Sequence, residues 1–452
     1  MLKRVKLIQT KIYSKFVNRP VLQKIVKNMG WLSFDRIFQL VIALTVGIWL
    51  TRYLGPNDFG VLSYALALNA LLIPIIGFGT GSLIVRELVT HENKKNIVLG
   101  SCAFINIITC VFAFILLNIV AYFLNLNDFF IFLVVFLSSL NFLIIGPYNV
   151  FAAWFNSKIE SKINVITYNI AIIISSVLKV IFIILGLPLV YFMIITLIES
   201  LISLIFIVYF YKKSGENFRN WQVDFNYIQN LLKSSWPLVL SGAMVILYMR
   251  IDQVMIGMLL NTTQVGIYSV SVKLSELFFF LPGVIIASIF PNLVKSKLIS
   301  KEIYALRLNK LFYLFTWIPF LIIIPLFLFA NQIVYFLYGA EYLGAALALA
   351  ISIWALFPIF IKSATESYLI NENLVKIIFV NSVVGAGVNI FLNYLLIPVY
   401  GIYGAAIATL IAYIFATYFG LILFKQTRPI FWMLVGSFNI FKGIKYFLNK
   451  DN

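Results

Sequence analysis

Histidine occurs once in this 452-residue chain and cysteine twice. Cys102 and Cys110 stand inside an apolar run and His91 in a charged loop. No zinc or haem ligand set can be assembled from them, and both cysteines suit buried free thiols rather than a disulfide. A phosphate-binding G-x-x-x-x-G-K-[S/T] loop is missing, so nothing points to nucleotide hydrolysis. Neither a metal nor any other cofactor is expected. Charge is scarce too. Only 11% of residues are charged, less than half of the roughly 25% usual in a soluble domain. What fills the chain instead is apolar: 62% of residues are hydrophobic and mean hydropathy is +1.00. That excess is more than one aqueous core can bury, and it implies lipid as part of the solvent.

Runs of roughly 20 apolar residues, the length needed to cross a bilayer as a helix, recur along the chain. Twelve spans are predicted, at 30–51, 61–85, 97–124, 129–155, 164–186, 188–211, 235–260, 265–293, 311–330, 345–369, 374–397 and 403–424. The runs are too long, and lack the alternation, for barrel strands. The fold class is therefore an all-α membrane protein of about 12 transmembrane helices. The longest polar loop parts them into two six-helix lobes. The organisation reads as a basic amphipathic segment at 1–29, an N-lobe at 30–211, a linker at 212–234, a C-lobe at 235–424 and a basic interfacial tail at 425–452. The first segment carries eight Lys and Arg spread throughout, which does not read as a cleavable signal.

The net charge of +18 could suit nucleic acid or the cytoplasmic loops of a membrane protein. Position decides. With the N-terminus inside, 28 Lys and Arg fall on the cytoplasmic side, whereas Arg52 alone lies outside. The asymmetry predicts both termini cytoplasmic and leaves no need for nucleic acid. The two halves also echo each other. Phe59-Gly60-Val61-Leu62-Ser63-Tyr64 follows span 1, and Val265-Gly266-Ile267-Tyr268-Ser269-Val270 follows span 7. Six spans per unit would make the copies parallel repeats.

Ten charged residues fall within spans: Asp35, Arg36, Lys179, Glu199, Arg250, Asp252, Lys273, Glu276, Lys362 and Glu366. Charge in hydrocarbon is costly and normally faces a partner or a wet cavity. Arg250, Asp252, Lys273 and Glu276 fall at one depth on spans 7 and 8, about 12–17 Å from the outer end at 1.5 Å per residue. Lys273 and Glu276 share a helix face, while Arg250 and Asp252 diverge. Such a group reads either as the lining of a polar cavity or as an ion-pair lock between two helices. Lys179 and Glu199 are placed to pair across the turn at Leu187–Pro188, Arg36 to snorkel or to face a cavity, and Lys362 with Glu366 to form a surface pair. Arg52 at the outer mouth could attract an anion or touch lipid headgroups. Pro74, Gly77 and Gly79 mark span 2 as irregular.

The run Tyr53-Leu54-Gly55-Pro56 with Phe59-Gly60 and Tyr64, the stretch Gly77-Phe78-Gly79-Thr80-Gly81, and RIDQVMIGMLL at 250–260 followed by Val265-Gly266-Ile267-Tyr268-Ser269 resemble polysaccharide flippases of the Wzx type. These belong to the multidrug/oligosaccharidyl-lipid/polysaccharide exporter superfamily. The resemblance covers essentially the whole chain. It implies two lobes around a central cavity in a bacterial inner membrane. It also implies passage of undecaprenyl-diphosphate-linked oligosaccharide from the cytoplasmic to the periplasmic leaflet, for O-antigen or another surface polysaccharide. Partners would be that lipid-linked oligosaccharide, membrane lipids, a polysaccharide polymerase and a chain-length regulator. On this basis Arg36, Arg52, Lys179, Arg250 and Lys273 are expected to contact the headgroup, and Asp252 and Glu276 to carry a coupled proton or cation. Asn141, Asn149, Tyr168, Asn169, Asn389 and Asn393 would suit sugars. A cation-coupled multidrug antiporter of the same superfamily is the competing expectation. A membrane glycosyltransferase is a weaker one, because no outer loop is long enough to house a transfer site.

Overall fold

The computed structural model describes residues 20–125 and 128–439. The segments read from sequence as the basic amphipathic leader up to residue 19 and as the end of the interfacial tail from residue 440 lie outside the described residues. Among the described residues there is helix and no strand. Ten helical stretches are long and apolar enough to cross a membrane. Two of these, Ser33–Thr90 and Val375–Leu423, are about twice the needed length and bend back at Gly55 (φ 66°) and Gly401 (φ 59°). Each therefore contributes two spans, which restores the expected twelve. Only glycine takes that left-handed backbone at no steric cost, so Leu54-Gly55-Pro56 and Tyr400-Gly401 are hairpin tips written locally.

The chain divides into two compact units, one of residues 20–50 and 72–239 and one of residues 51–71 and 240–439. The first holds the start of α1 (Pro20–Leu72), then α2 (Thr80–Thr90), α3 (Lys95–Leu124), α4 (Phe129–Ser139), α5 (Asn141–Ser157), α6 (Ser161–Ile184) and α7 (Leu189–Lys213). Its core is an aromatic knot. Phe151 and Trp154 of α5 pack against Tyr211 of α7, and the Trp221 Nε1–H donates to the Tyr211 hydroxyl at 2.9 Å. The loop after α7 is fastened to this unit. Lys95 pairs with Glu216 at 2.7 Å, and the Asp224 amide donates to Ser101 Oγ at 3.0 Å. Asp224 Oδ1 then accepts from the amides of Asn226 and Tyr227 and caps α8 (Phe225–Leu259), which starts ten residues before the predicted span 7. Span 2 is broken, as Pro74 and its glycines suggest. Ile76, Gly77 and Phe78 leave helical geometry, and the Gly77 amide donates to Thr109 Oγ1 at 2.9 Å. A backbone group freed by the break is thereby satisfied inside the protein, as lipid requires.

The second unit contains the remainder of α8, then α9 (Thr262–Glu276), α10 (Leu281–Ile299), α11 (Lys301–Trp317), α12 (Phe320–Leu328), α13 (Ala330–Tyr338), α14 (Gly344–Ser352), α15 (Leu356–Asn371), α16 (Val375–Leu423) and α17 (Arg428–Ser437). It also takes in residues 51–71, the hairpin tip and second arm of α1, which the sequence groups with the N-lobe. The reason is close packing. A Cβ on Gly60 would overlap the Thr262 carbonyl, and one on Gly266 would overlap the Pro56 carbonyl. Gly60 and Gly266, matched in the sequence echo, are thus each other's neighbours. Small residues of this kind let membrane helices approach closely where no hydrophobic force drives them together. The Tyr342 hydroxyl adds a bond to the Thr51 carbonyl at 2.7 Å. Helix α17 falls within the span of the predicted tail. It packs Ile430 and Leu434 into the core, and its end is held by Tyr313, Thr316 and Trp317.

Candidate functional site

Helix α8 carries Arg250, Asp252 and Gln253, α9 carries Tyr268, Ser269, Lys273 and Glu276, and the second arm of α1 carries Ser63, Leu66, Ala67 and Ala70. Eight of these eleven carry a polar group, and all but Asp252 and Tyr268 line one cavity of about 280 Å3, closed by Val272. Arg250 Nη2 and Glu276 Oε2 form an ion pair at 2.8 Å, each side chain roughly a quarter exposed. Lys273 has no carboxylate partner among the described residues. Its Nζ stands 4.2 Å from the centroid of the Phe59 ring, a cation–π contact that holds the ammonium without cancelling its charge. Lys273 is solvent-accessible and lines this hollow, between buried Val272 and Leu274. With two cations against one carboxylate, the lining is net positive.

Asp252 turns the other way, as its spacing from Arg250 demands. It is 1% exposed. One carboxylate oxygen accepts from the Tyr268 hydroxyl at 2.5 Å and the Thr409 hydroxyl at 3.2 Å, and the other from the Gln253 amide at 2.7 Å. Asn389 donates to Thr409 Oγ1 at 3.2 Å and Asn393 to Asn389 Oδ1 at 3.1 Å. A void of about 20 Å3 touches Asp252, Tyr268, Ser275, Glu276 and Thr409, enough for one water-sized guest. Asn389 and Asn393 are 0% exposed. They extend this internal network and do not line a sugar-sized cavity, contrary to the sequence expectation.

Other expected site residues stand elsewhere. Arg52 is exposed and donates to the Phe336 carbonyl near the C-terminal end of α13. It thereby complements the helix dipole rather than joining the cavity. Lys179 and Glu199 meet at 3.1 Å, and Ser175 Oγ donates to the same carboxylate oxygen at 2.5 Å. Arg36 is an exposed residue of α1 in the first unit. Lys362 corrects the surface-pair reading. Its side chain is 13% exposed and donates to the Tyr248 hydroxyl at 2.5 Å, with Glu366 farther off at 3.6 Å. Sequence reasoning missed Ser63, Gln253 and Ser269. Gln253 is three residues from Arg250, and Ser269 four from Lys273, so each shares a face with a flagged cation.

Residues 25–297 match the family model described as polysaccharide biosynthesis protein. No curated protein matches the chain. Among solved structures, an inward-facing multidrug resistance MATE family transporter of the MOP superfamily shares 15% identity at a TM-score of 0.69, over 89% of this chain and 99% of its own. The lipid II flippase MurJ in an inward closed conformation shares 17% identity at 0.67, covering 94% of both chains. A MOP superfamily transporter from Pyrococcus furiosus, whose binding pocket has reversed polarity, shares 16% at 0.59, over 89% of this chain and 96% of its own. Identities this low speak for the fold, while the family match covers more than half the chain. The protein is therefore a multi-pass membrane protein with the fold of MOP-superfamily transporters, and it belongs to the polysaccharide biosynthesis protein family.

Proposed function

We propose that the protein moves undecaprenyl-diphosphate-linked oligosaccharide from the cytoplasmic to the periplasmic leaflet of a bacterial inner membrane, by alternating access, for assembly of a surface polysaccharide such as O-antigen. The observation that carries this reading is Lys273: a cation with no carboxylate partner among the described residues, deep in a spanning helix and lining a polar cavity beside Arg250. A phosphate-bearing headgroup cannot cross hydrocarbon unaided. Charge-assisted hydrogen bonds from Lys and Arg can replace its water. Family membership and the fold shared with a lipid II flippase support the same chemistry.

Arg36, Arg52 and Lys179 are secondary headgroup candidates in this reading. Arg52 and Lys179 are already engaged by protein groups and would have to exchange them. Asp252 is the candidate carrier of a coupled proton or cation, supported by its burial and its void. Glu276 is the weaker one, because Arg250 holds it. A polysaccharide polymerase and a chain-length regulator are the proposed downstream partners.

The decisive experiment is deletion in the source organism. The expected result is loss of surface polysaccharide, with lipid-linked repeat units trapped in the inner leaflet. Unchanged polysaccharide together with new drug sensitivity would overturn the reading in favour of a multidrug antiporter.

A further inference from the structure

The cavity that holds the two cations also holds three neutral polar side chains, and these share one level. Ser63 follows the Gly55 tip by eight residues, Gln253 precedes the Asn261 turn by eight, and Ser269 follows that turn by eight. At 1.5 Å per residue each lies about 12 Å from its turn. Arg250 and Lys273 lie eleven and twelve residues from Asn261, about one helical turn deeper. The cavity is therefore layered, with cations below and a ring of an amide and two hydroxyls above.

One hydroxyl of that ring has no protein partner among the described residues. Ser63, Gln253 and Ser269 are 6%, 5% and 3% exposed, and Ser269 Oγ is buried with no hydrogen-bond partner. Buried polar atoms are nearly always satisfied, and a serine on a helix ordinarily bonds back to a carbonyl one turn before. Ser271 and Ser275 on the same helix do so. A serine hydroxyl and a glutamine amide can each donate and accept. A sugar's hydroxyl groups match both roles, an anion only the accepting one, and a lipid tail neither. The step from cations to ring, one helical turn, also suits the step from a phosphate to the sugar it carries.

We propose that Gln253, Ser269 and Ser63 read the first sugar of the lipid-linked substrate while Arg250 and Lys273 hold its diphosphate. This rests on the flippase reading and assigns specificity within the same cavity. The test uses the purified full-length protein in detergent and measures binding by native mass spectrometry. The two probes are undecaprenyl diphosphate and undecaprenyl diphosphate bearing one N-acetylhexosamine. Wild type is expected to prefer the sugar-bearing lipid by about five- to tenfold, the size of one or two net hydrogen bonds. Gln253→Leu and Ser269→Ala should each shrink that preference while leaving affinity for the sugar-free lipid unchanged, which also shows that the variants fold. Binding of both lipids by wild type without preference, or a preference that both variants keep, would overturn the sugar assignment alone. Binding of neither lipid would overturn the flippase reading with it.

Discussion

Two helical hairpins of this protein carry charge at membrane depth, and they resolve it differently. In the α6–α7 hairpin Lys179 meets Glu199 at 3.1 Å, and Ser175 completes the carboxylate. Each charge has its opposite. In the α8–α9 hairpin Arg250 meets Glu276 at 2.8 Å, yet Lys273 remains, held over the Phe59 ring beside a cavity of about 280 Å3. A closed ion pair between helices is a fastening whose net contribution is modest, because desolvation offsets attraction. A cation left over is different. No carboxylate among the described residues neutralises it, so it stays available to an anion at the cavity.

That contrast can be broken by substitution. Arg250→Met should have the largest effect. It strands Glu276 without its partner, which costs about 3–5 kcal/mol for a fully buried pair and less here, where each group is roughly a quarter exposed. Quantitative immunoblots of membranes should show reduced protein, and surface polysaccharide should fall further. Adding Glu276→Gln should recover protein level but not export, which separates the fastening from the function. Lys179→Met should lower the melting temperature of the purified protein by about 1–2 °C, as loss of about 1–2 kcal/mol implies for a chain of this size. The smallest effect is expected for Lys179→Met with Glu199→Gln, which removes the pair entirely. Melting temperature and polysaccharide amount should both return close to wild type. If that double variant abolished export at normal abundance, the first hairpin would also be a transport site, and the contrast would fail.

The spans were legible because hydrophobic length is a local property: the turns at Gly55 and Gly401 stand where the apolar runs are interrupted. The divergence of Arg250 from Asp252 was legible for a similar reason, since helical spacing alone sends i and i+2 to different sides. Partner choice was not. Nothing local says that Glu276 takes Arg250 rather than Lys273 three residues away, because that depends on the neighbouring helix. The burial of Asn389 and Asn393 in the Asp252 network was hidden for the same reason. So was the packing of residues 51–71 with the second unit, which depends on the non-local approach of Gly60 to Gly266. The repeat pattern had singled out both glycines without showing that they meet.

The central claim concerns the charge on Lys273, and the most direct measurement is export by three variants at that position with membrane abundance matched. Lys273→Arg keeps a cation over the Phe59 ring, and Lys273→Met and Lys273→Gln remove it. The account predicts that Arg sustains surface polysaccharide. Met and Gln should reduce it by about tenfold or more, the worth of a charge-assisted hydrogen bond. Wild-type polysaccharide in the Met variant would contradict the account.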